Sequence, residues 1–249
     1  LALDMDVLSM GGNTNIEGYH NNFVANTRTW DYLVSQNKFS SETFKRCFDF
    51  KKTMLEIGYP RNDILVNENT KEQVDAYKKK LGLPLDKKII LYAPTWRDDQ
   101  YYSKGKYKFV TAMDYDKMRE ALGDEYVMIV KYHYLVKEQL DWEAYKGFIY
   151  QYNETQDIAQ LYLVSDMLIT DYSSVMFDYS ILRRPMVFFA YDMDNYKTNL
   201  RGFYFDFLEA APGPIVMTNE EMIAAIKGYQ ESEWQEKYQA FHDKFNHVD

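Results

Sequence analysis

From residue 88 onward the chain repeats one pattern. A short continuous apolar run is followed by a polar turn, then by a longer stretch with apolar positions at helical spacing. The runs at 88–93, 126–130, 148–150, 167–170 and 186–189 have no polar alternation, which predicts strands buried on both faces. Residues 114–122, 157–164, 173–182, 219–227 and 234–245 predict helices between and after them. Buried strands alternating with helices predict an α/β fold: a Rossmann-like parallel sheet covered by helices and joined by right-handed crossovers.

The first part of the chain is less regular. Residues 1–30 predict a loop and a short helix, and Tyr32-Leu33-Val34-Ser35 a short strand. Ser40 reads as a helix cap, with Phe44, Phe48 and Met54 as a helical stripe running to Ile57. Gly58-Tyr59-Pro60-Arg61-Asn62-Asp63 has the composition of a turn or linker. A domain boundary is placed there, giving 1–62 and 63–249. Residues 70–81 predict a helix whose last turn carries Lys78, Lys79 and Lys80, where cations favour the helix dipole. Residues 98–108 form a long polar loop, and long loops at strand ends are often functional.

Composition narrows the function classes. A chain of 249 residues buries a real core in one large domain or two small ones. The net charge of −9 argues against general binding of nucleic acid or anionic lipid, so a phosphorylated ligand needs a locally built site. One cysteine, Cys47, excludes an internal disulfide and a cysteine metal cluster. His20, His133, His242 and His247 lack metal-site spacing, and no metal is expected. No run approaches the ~20 apolar residues of a membrane-spanning helix. The opening Leu1-Ala2-Leu3-Asp4 carries no secretory pattern and reads as the start of a fragment of a longer protein. No Gly-x-Gly-x-x-Gly follows a strand, which argues against a Rossmann oxidoreductase.

In open α/β sheets ligands bind beyond the carboxyl ends of the strands. The residues to inspect are therefore Pro94-Thr95-Trp96-Arg97, Lys131-Tyr132-His133, Asp171-Tyr172-Ser173-Ser174 and Tyr191-Asp192. At Thr170-Asp171-Tyr172-Ser173-Ser174 a strand ends and small hydroxyl residues open a helix, a setting that favours an anion. Ser173 reads equally well as an N-cap. His133 beside Lys131 is a candidate phosphate donor or proton carrier, or a hydrogen-bonded loop histidine. Arg97 and Arg201 suit forked contacts with phosphate, or surface ion pairs.

Taken together, several segments resemble the CDP-glycerol glycerophosphotransferase family, the teichoic acid primases and polymerases. They are Tyr92-Ala93-Pro94-Thr95-Trp96-Arg97, Lys131-Tyr132-His133, Leu168 through Tyr179, Arg201-Gly202-Phe203-Tyr204-Phe205-Asp206 and Ala211-Pro212-Gly213-Pro214, with Gly58 through Asp63 also matching. The resemblance implies a GT-B-like fold, with residues 1–62 ending an acceptor-side domain and 63–249 forming the donor-binding domain. It implies transfer of glycerol phosphate from CDP-glycerol to the hydroxyl end of a growing teichoic acid chain, with release of CMP. Alternatives of the same fold are a CDP-ribitol or other nucleotide-donor transferase, or a non-catalytic nucleotide-binding module. His133 is the implied catalytic residue. Thr95, Arg97, Lys131, Thr170, Asp171, Ser173, Ser174 and Arg201 are the implied donor and diphosphate contacts. No cofactor is expected. The implied partners are CDP-glycerol, a lipid-linked polyol-phosphate acceptor and, peripherally, the cytoplasmic face of the cell membrane. The family's second histidine, in a His-Gly motif proposed as the base, has no match in this chain, since His20 differs in context.

Overall fold

The computed structural model describes residues 16–95, 101–103, 106–107, 112–132, 141–193 and 204–246. The chain divides into two compact units. One holds residues 1–60, 192–210 and 240–249, the other 61–191 and 211–239. Residues 192–210 and 240–249 thus group with the first unit, whereas the sequence reading assigned them to the second.

The larger unit is built on six parallel strands: β3 (Lys88–Tyr92), β6 (Tyr126–Val130), β7 (Ile149–Tyr150), β8 (Met167–Thr170), β9 (Met186–Phe189) and β10 (Ile215–Val216). Their order across the sheet is β10-β9-β8-β3-β6-β7. β3 is central, with Tyr92 opposite Val130 on one side and Ile169 on the other. Ile89, Ile90, Leu91, Val127, Met128, Ile129, Leu168, Ile169, Val187 and Phe188 are wholly buried, as the unbroken apolar runs require. A separate antiparallel pair, β4 (Tyr101–Ser103) with β5 (Lys106–Tyr107), lies in the stretch expected to be loop.

The helices of this unit begin where short polar side chains cap them. α4 (Lys71–Lys80) starts after Thr70, α5 (Tyr115–Leu122) after Asp114 and α6 (Ile158–Val164) after Asp157. Each cap side chain accepts a bond from a first-turn amide, which satisfies a donor that the helix leaves open. α9 (Asn219–Lys227) has a full capping box between Thr218 and Glu221. α7 (Val175–Tyr179) is shorter than expected. It runs into a 3-10 turn at Ser180–Leu182, which ends at Arg183 with φ 53.

The smaller unit contains α1 (Ile16–Arg28), β1 (Tyr32–Ser35), α2 (Lys38–Cys47), β2 (Thr53–Glu56) and the short α8 (Phe207–Ala210), with β1 and β2 parallel. The expected helical stripe from Phe44 to Ile57 is corrected here. α2 stops at Cys47, Asp49 takes a positive φ of 47, and Met54 lies on β2 opposite Leu33. Phe44 stacks on Phe48, which stacks in turn on Phe23, but Met54 joins that cluster from a strand. The cap is also corrected. Asn37, not Ser40, opens α2, and its side chain accepts from the Ser40 amide. α1 is longer than the short helix expected. The turn at 58–63 is a 3-10 turn (Pro60–Asn62) leading into α3 (Asp63–Asn67).

Candidate active site

The strand order fixes where a ligand can bind. β6 and β7 follow β3 to one side, and β8, β9 and β10 leave on the other. The chain therefore reverses its winding between β3 and β8. At such a switch point the connecting segments diverge and leave a crevice outside the carboxyl ends of the two strands.

The residues that leave those two ends are bonded to each other. The Thr170 hydroxyl donates to the Ala93 carbonyl at 2.7 Å, and the Ala93 amide to the Ile169 carbonyl at 3.0 Å. Beyond them the Thr95 amide donates to both oxygens of Asp171, at 2.9 and 3.1 Å, and the Thr95 hydroxyl to Oδ1 at 2.7 Å. Asp171 is only 1% exposed. A carboxylate removed from water needs several directed donors, and Thr95 supplies them. Asp171 thereby fixes the end of the segment that leaves β3, at Thr95. The structure brings Thr95, Thr170 and Asp171 together, with Asp171 engaged by protein donors.

Lys131 is the first residue after β6. Its amide continues the ladder to the Tyr92 carbonyl at 2.9 Å, and its Nζ donates to the Asn153 carbonyl at 2.8 Å. Half-burial pulls its pKa below the usual lysine value, while Glu154 pushes the other way. Lys131 therefore shares the carboxyl edge with Thr95 and Asp171 but leans towards the turn after β7. Sequence reasoning missed that turn. Its signal was Asn153-Glu154-Thr155, where the Asn153 side chain accepts from the Thr155 amide and hydroxyl in an Asx turn.

Ser173 and Ser174 follow Asp171 on the same segment. Ser174 is exposed, stands at the N-cap of α7, and makes no side-chain capping bond. Ser173 is half-buried, and its hydroxyl accepts from the Val175 amide at 3.5 Å, the long limit of a hydrogen bond. A five-residue helix has a small dipole, so the attraction for an anion here rests on hydroxyls and amides more than on the helix. His133, Arg97 and Arg201 lie outside the described residues. Among the described residues no group of three or more His, Cys, Asp or Glu is placed to hold a metal ion.

Beneath the β3 and β6 ends lies an aromatic group that the sequence reading did not single out. Tyr132 packs edge-on against Tyr92 and tilts against Trp142, and its hydroxyl bonds that of Tyr115. Trp142 and Tyr145 pack on Tyr115 in turn. These rings give the strand ends a stiff floor.

Comparison with known proteins adds to the geometry. A family described as CDP-Glycerol:Poly(glycerophosphate) glycerophosphotransferase matches residues 1–249. The teichoic acid poly(glycerol phosphate) polymerase of Bacillus subtilis (strain 168) is 50% identical over 251 residues, covering 100% of this chain and 34% of the polymerase. The protein of the same description from Bacillus spizizenii (strain ATCC 23059 / NRRL B-14472 / W23) is 47% identical, covering 100% of this chain and 63% of that one. Among solved structures, a variant of the wall teichoic acid polymerase TagF soaked with CDPG superposes with a TM-score of 0.90 at 46% identity, over 100% of this chain and 61% of that one. The chain thus spans between about a third and three fifths of the length of these relatives. The α/β, GT-B-like fold class expected from the sequence agrees with the sheet and with this likeness.

Proposed function

The chain belongs to the CDP-Glycerol:Poly(glycerophosphate) glycerophosphotransferase family, and from that premise we propose that it is the donor-binding part of a teichoic acid polymerase. The enzyme transfers glycerol phosphate from CDP-glycerol to the terminal hydroxyl of a growing chain and releases CMP. One observation carries this reading: identity of 50% to a glycerol phosphate polymerase extends over the whole chain, including the segments that meet at the switch point. We assign residues 1–62 to the end of the acceptor-side domain and 63–249, apart from the stretches 192–210 and 240–249 that group with the first unit, to the donor-binding domain.

In the proposed step the acceptor oxygen attacks the β-phosphorus of CDP-glycerol. The bond from that phosphorus to the bridging oxygen breaks, its electron pair leaves on CMP, and the hydroxyl proton passes to a base. The resemblance assigns the base to the His-Gly motif, which has no counterpart among these 249 residues. Negative charge grows on the departing phosphate, so donors aimed there lower the barrier. Ser173 and Ser174 offer hydroxyls, Lys131, Arg97 and Arg201 offer positive charge, and His133 donates a proton or a hydrogen bond. Thr95, Thr170 and Asp171 hold the two strand ends in register beneath them. The acceptor is lipid-linked, and the enzyme works peripherally on the cytoplasmic face of the membrane. No described helix is long and apolar enough to cross one.

The test is CMP release by the full-length protein offered a glycerol phosphate acceptor and, separately, CDP-glycerol, CDP-ribitol and a nucleotide sugar. Turnover of CDP-glycerol above the others supports the reading. Preference for CDP-ribitol replaces the substrate while keeping the site, and turnover of none of them contradicts it.

A further inference from the structure

Two segments that stood out in the sequence are joined in the structure, and the step above uses neither side of the joint. The Arg61 guanidinium lies 3.2 Å through Nη2 from each oxygen of Asp178, and 3.4 Å through Nε from Oδ2. The Asn62 amide donates to Asp178 Oδ1 at 2.8 Å. The Asp178 side chain is 16% exposed against 60% for Arg61, and Asn62 is buried, so the carboxylate is largely enclosed by its donors.

Asn62 gives the clearer sign. It stands at the N-cap of α3, a position where asparagine ordinarily bonds a first-turn amide. It makes no such bond, because its side chain reaches Asp178 instead. α3 goes without that cap while Asp178 gains a donor.

Asp178 sits one turn after Ser174 on α7. Five residues are too few to hold a helix by local bonds, so its placement depends on tertiary ties. One tie is on the far side: the buried Tyr179, whose hydroxyl donates to the Ser165 carbonyl at 3.1 Å. Another is Asp178 in its fork.

We propose that Arg61 and Asn62 are positioning residues for donor binding, which act by holding Asp178 and so setting the Ser173-Ser174 turn against the switch-point crevice. The inference rests on the donor-binding reading above. It assigns the Gly58-Tyr59-Pro60-Arg61-Asn62-Asp63 motif a task in the site although none of its residues follows a strand of the six-stranded sheet. A displacement of the hydroxyls by a fraction of an ångström is enough to weaken a diphosphate contact.

The experiment uses the full-length protein with the variants Asp178→Asn, Asn62→Ala, Arg61→Ala and Arg61→Lys and the double variant Arg61→Ala/Asp178→Asn. Donor KM, kcat, melting temperature and amide exchange at residues 174–177 are measured for each. The expected result is a donor kcat/KM lowered about five- to tenfold in Asp178→Asn and Asn62→Ala, through a raised KM and a lowered kcat together, with faster exchange at 174–177. Arg61→Lys should recover most of the loss seen in Arg61→Ala, and the double variant should be no worse than Asp178→Asn alone. A lowered melting temperature with unchanged donor kcat/KM overturns the proposal, as do independent, additive effects of Arg61 and Asp178. If Asp178→Asn fails to fold, Arg61→Ala decides, since it removes a mostly exposed side chain. If the wild-type protein neither binds nor turns over CDP-glycerol, the functional reading fails. Amide exchange then tests the clamp by itself, and unchanged exchange at 174–177 overturns it.

Discussion

Asp171 is the residue on which the strand ends depend. Its buried carboxylate takes all three bonds that Thr95 sends it, so removing the carboxylate leaves an amide and a hydroxyl to find new acceptors. Asp171→Ala is expected to cost about 3 kcal/mol, and Thr95→Val, which loses one hydroxyl donor, about 1 kcal/mol. Urea unfolding of the two variants checks both figures and their order. Lys131 gives a pH signature. Half-burial lowers its pKa in the folded state, so between that lowered value and the ordinary 10.5 the unfolded chain holds more protons than the folded one. Stability should therefore rise with pH through that window as the folded state sheds the buried charge, and Lys131→Met should lack that part of the rise. Unfolding midpoints of the two proteins, compared from neutral pH to 10.5, test the sign. At this scale the sequence showed where to look but not what each side chain does. The strand-end rule singled out Thr95, Lys131 and Asp171 because strand ends are readable as apolar runs. That Asp171 is bound by a residue 76 positions away was not readable, because its neighbours in sequence suggested a phosphate instead.

The elements of the sheet were the most legible, since a strand buried on both faces leaves an unbroken apolar run. β6, β8 and β9 fall on the expected runs at 126–130, 167–170 and 186–189. β2 was hidden because Met54 also completes a helical spacing with Phe44 and Phe48, and the positive φ at Asp49 that ends the helix has no glycine to announce it. β10 was hidden by its length of two residues. It is held by a close approach at Gly213, where a Cβ would fall 1.9 Å from the Met186 carbonyl oxygen. That oxygen belongs to backbone at the start of β9 and cannot swing aside. Gly213→Ala is therefore expected to destabilise by more than about 3 kcal/mol or to prevent soluble expression. An unchanged melting temperature for Gly213→Ala would refute the packing described for this edge. The capping box of α9 makes a milder prediction: Thr218→Ala should cost about 1 kcal/mol in the same assay and leave donor KM alone.

For the whole molecule, the net charge of −9 and the positive groups proposed at the strand ends are compatible because attraction of a diphosphate is local. Family membership and fold follow from likeness along the entire chain, which spans 34% to 63% of the length of the two Bacillus polymerases. The donor is proposed to bind at the carboxyl edge of the six-stranded sheet. That placement is tested most directly by calorimetric titration of the full-length protein with CDP-glycerol, using Ser173→Ala, His133→Ala and, as a control at the opposite, amino edge of the sheet, the exposed Glu125→Ala. Saturable binding is expected, weakened about tenfold in each of the first two variants and unchanged in the third. Wild-type affinity in both Ser173→Ala and His133→Ala would contradict it and place the donor elsewhere.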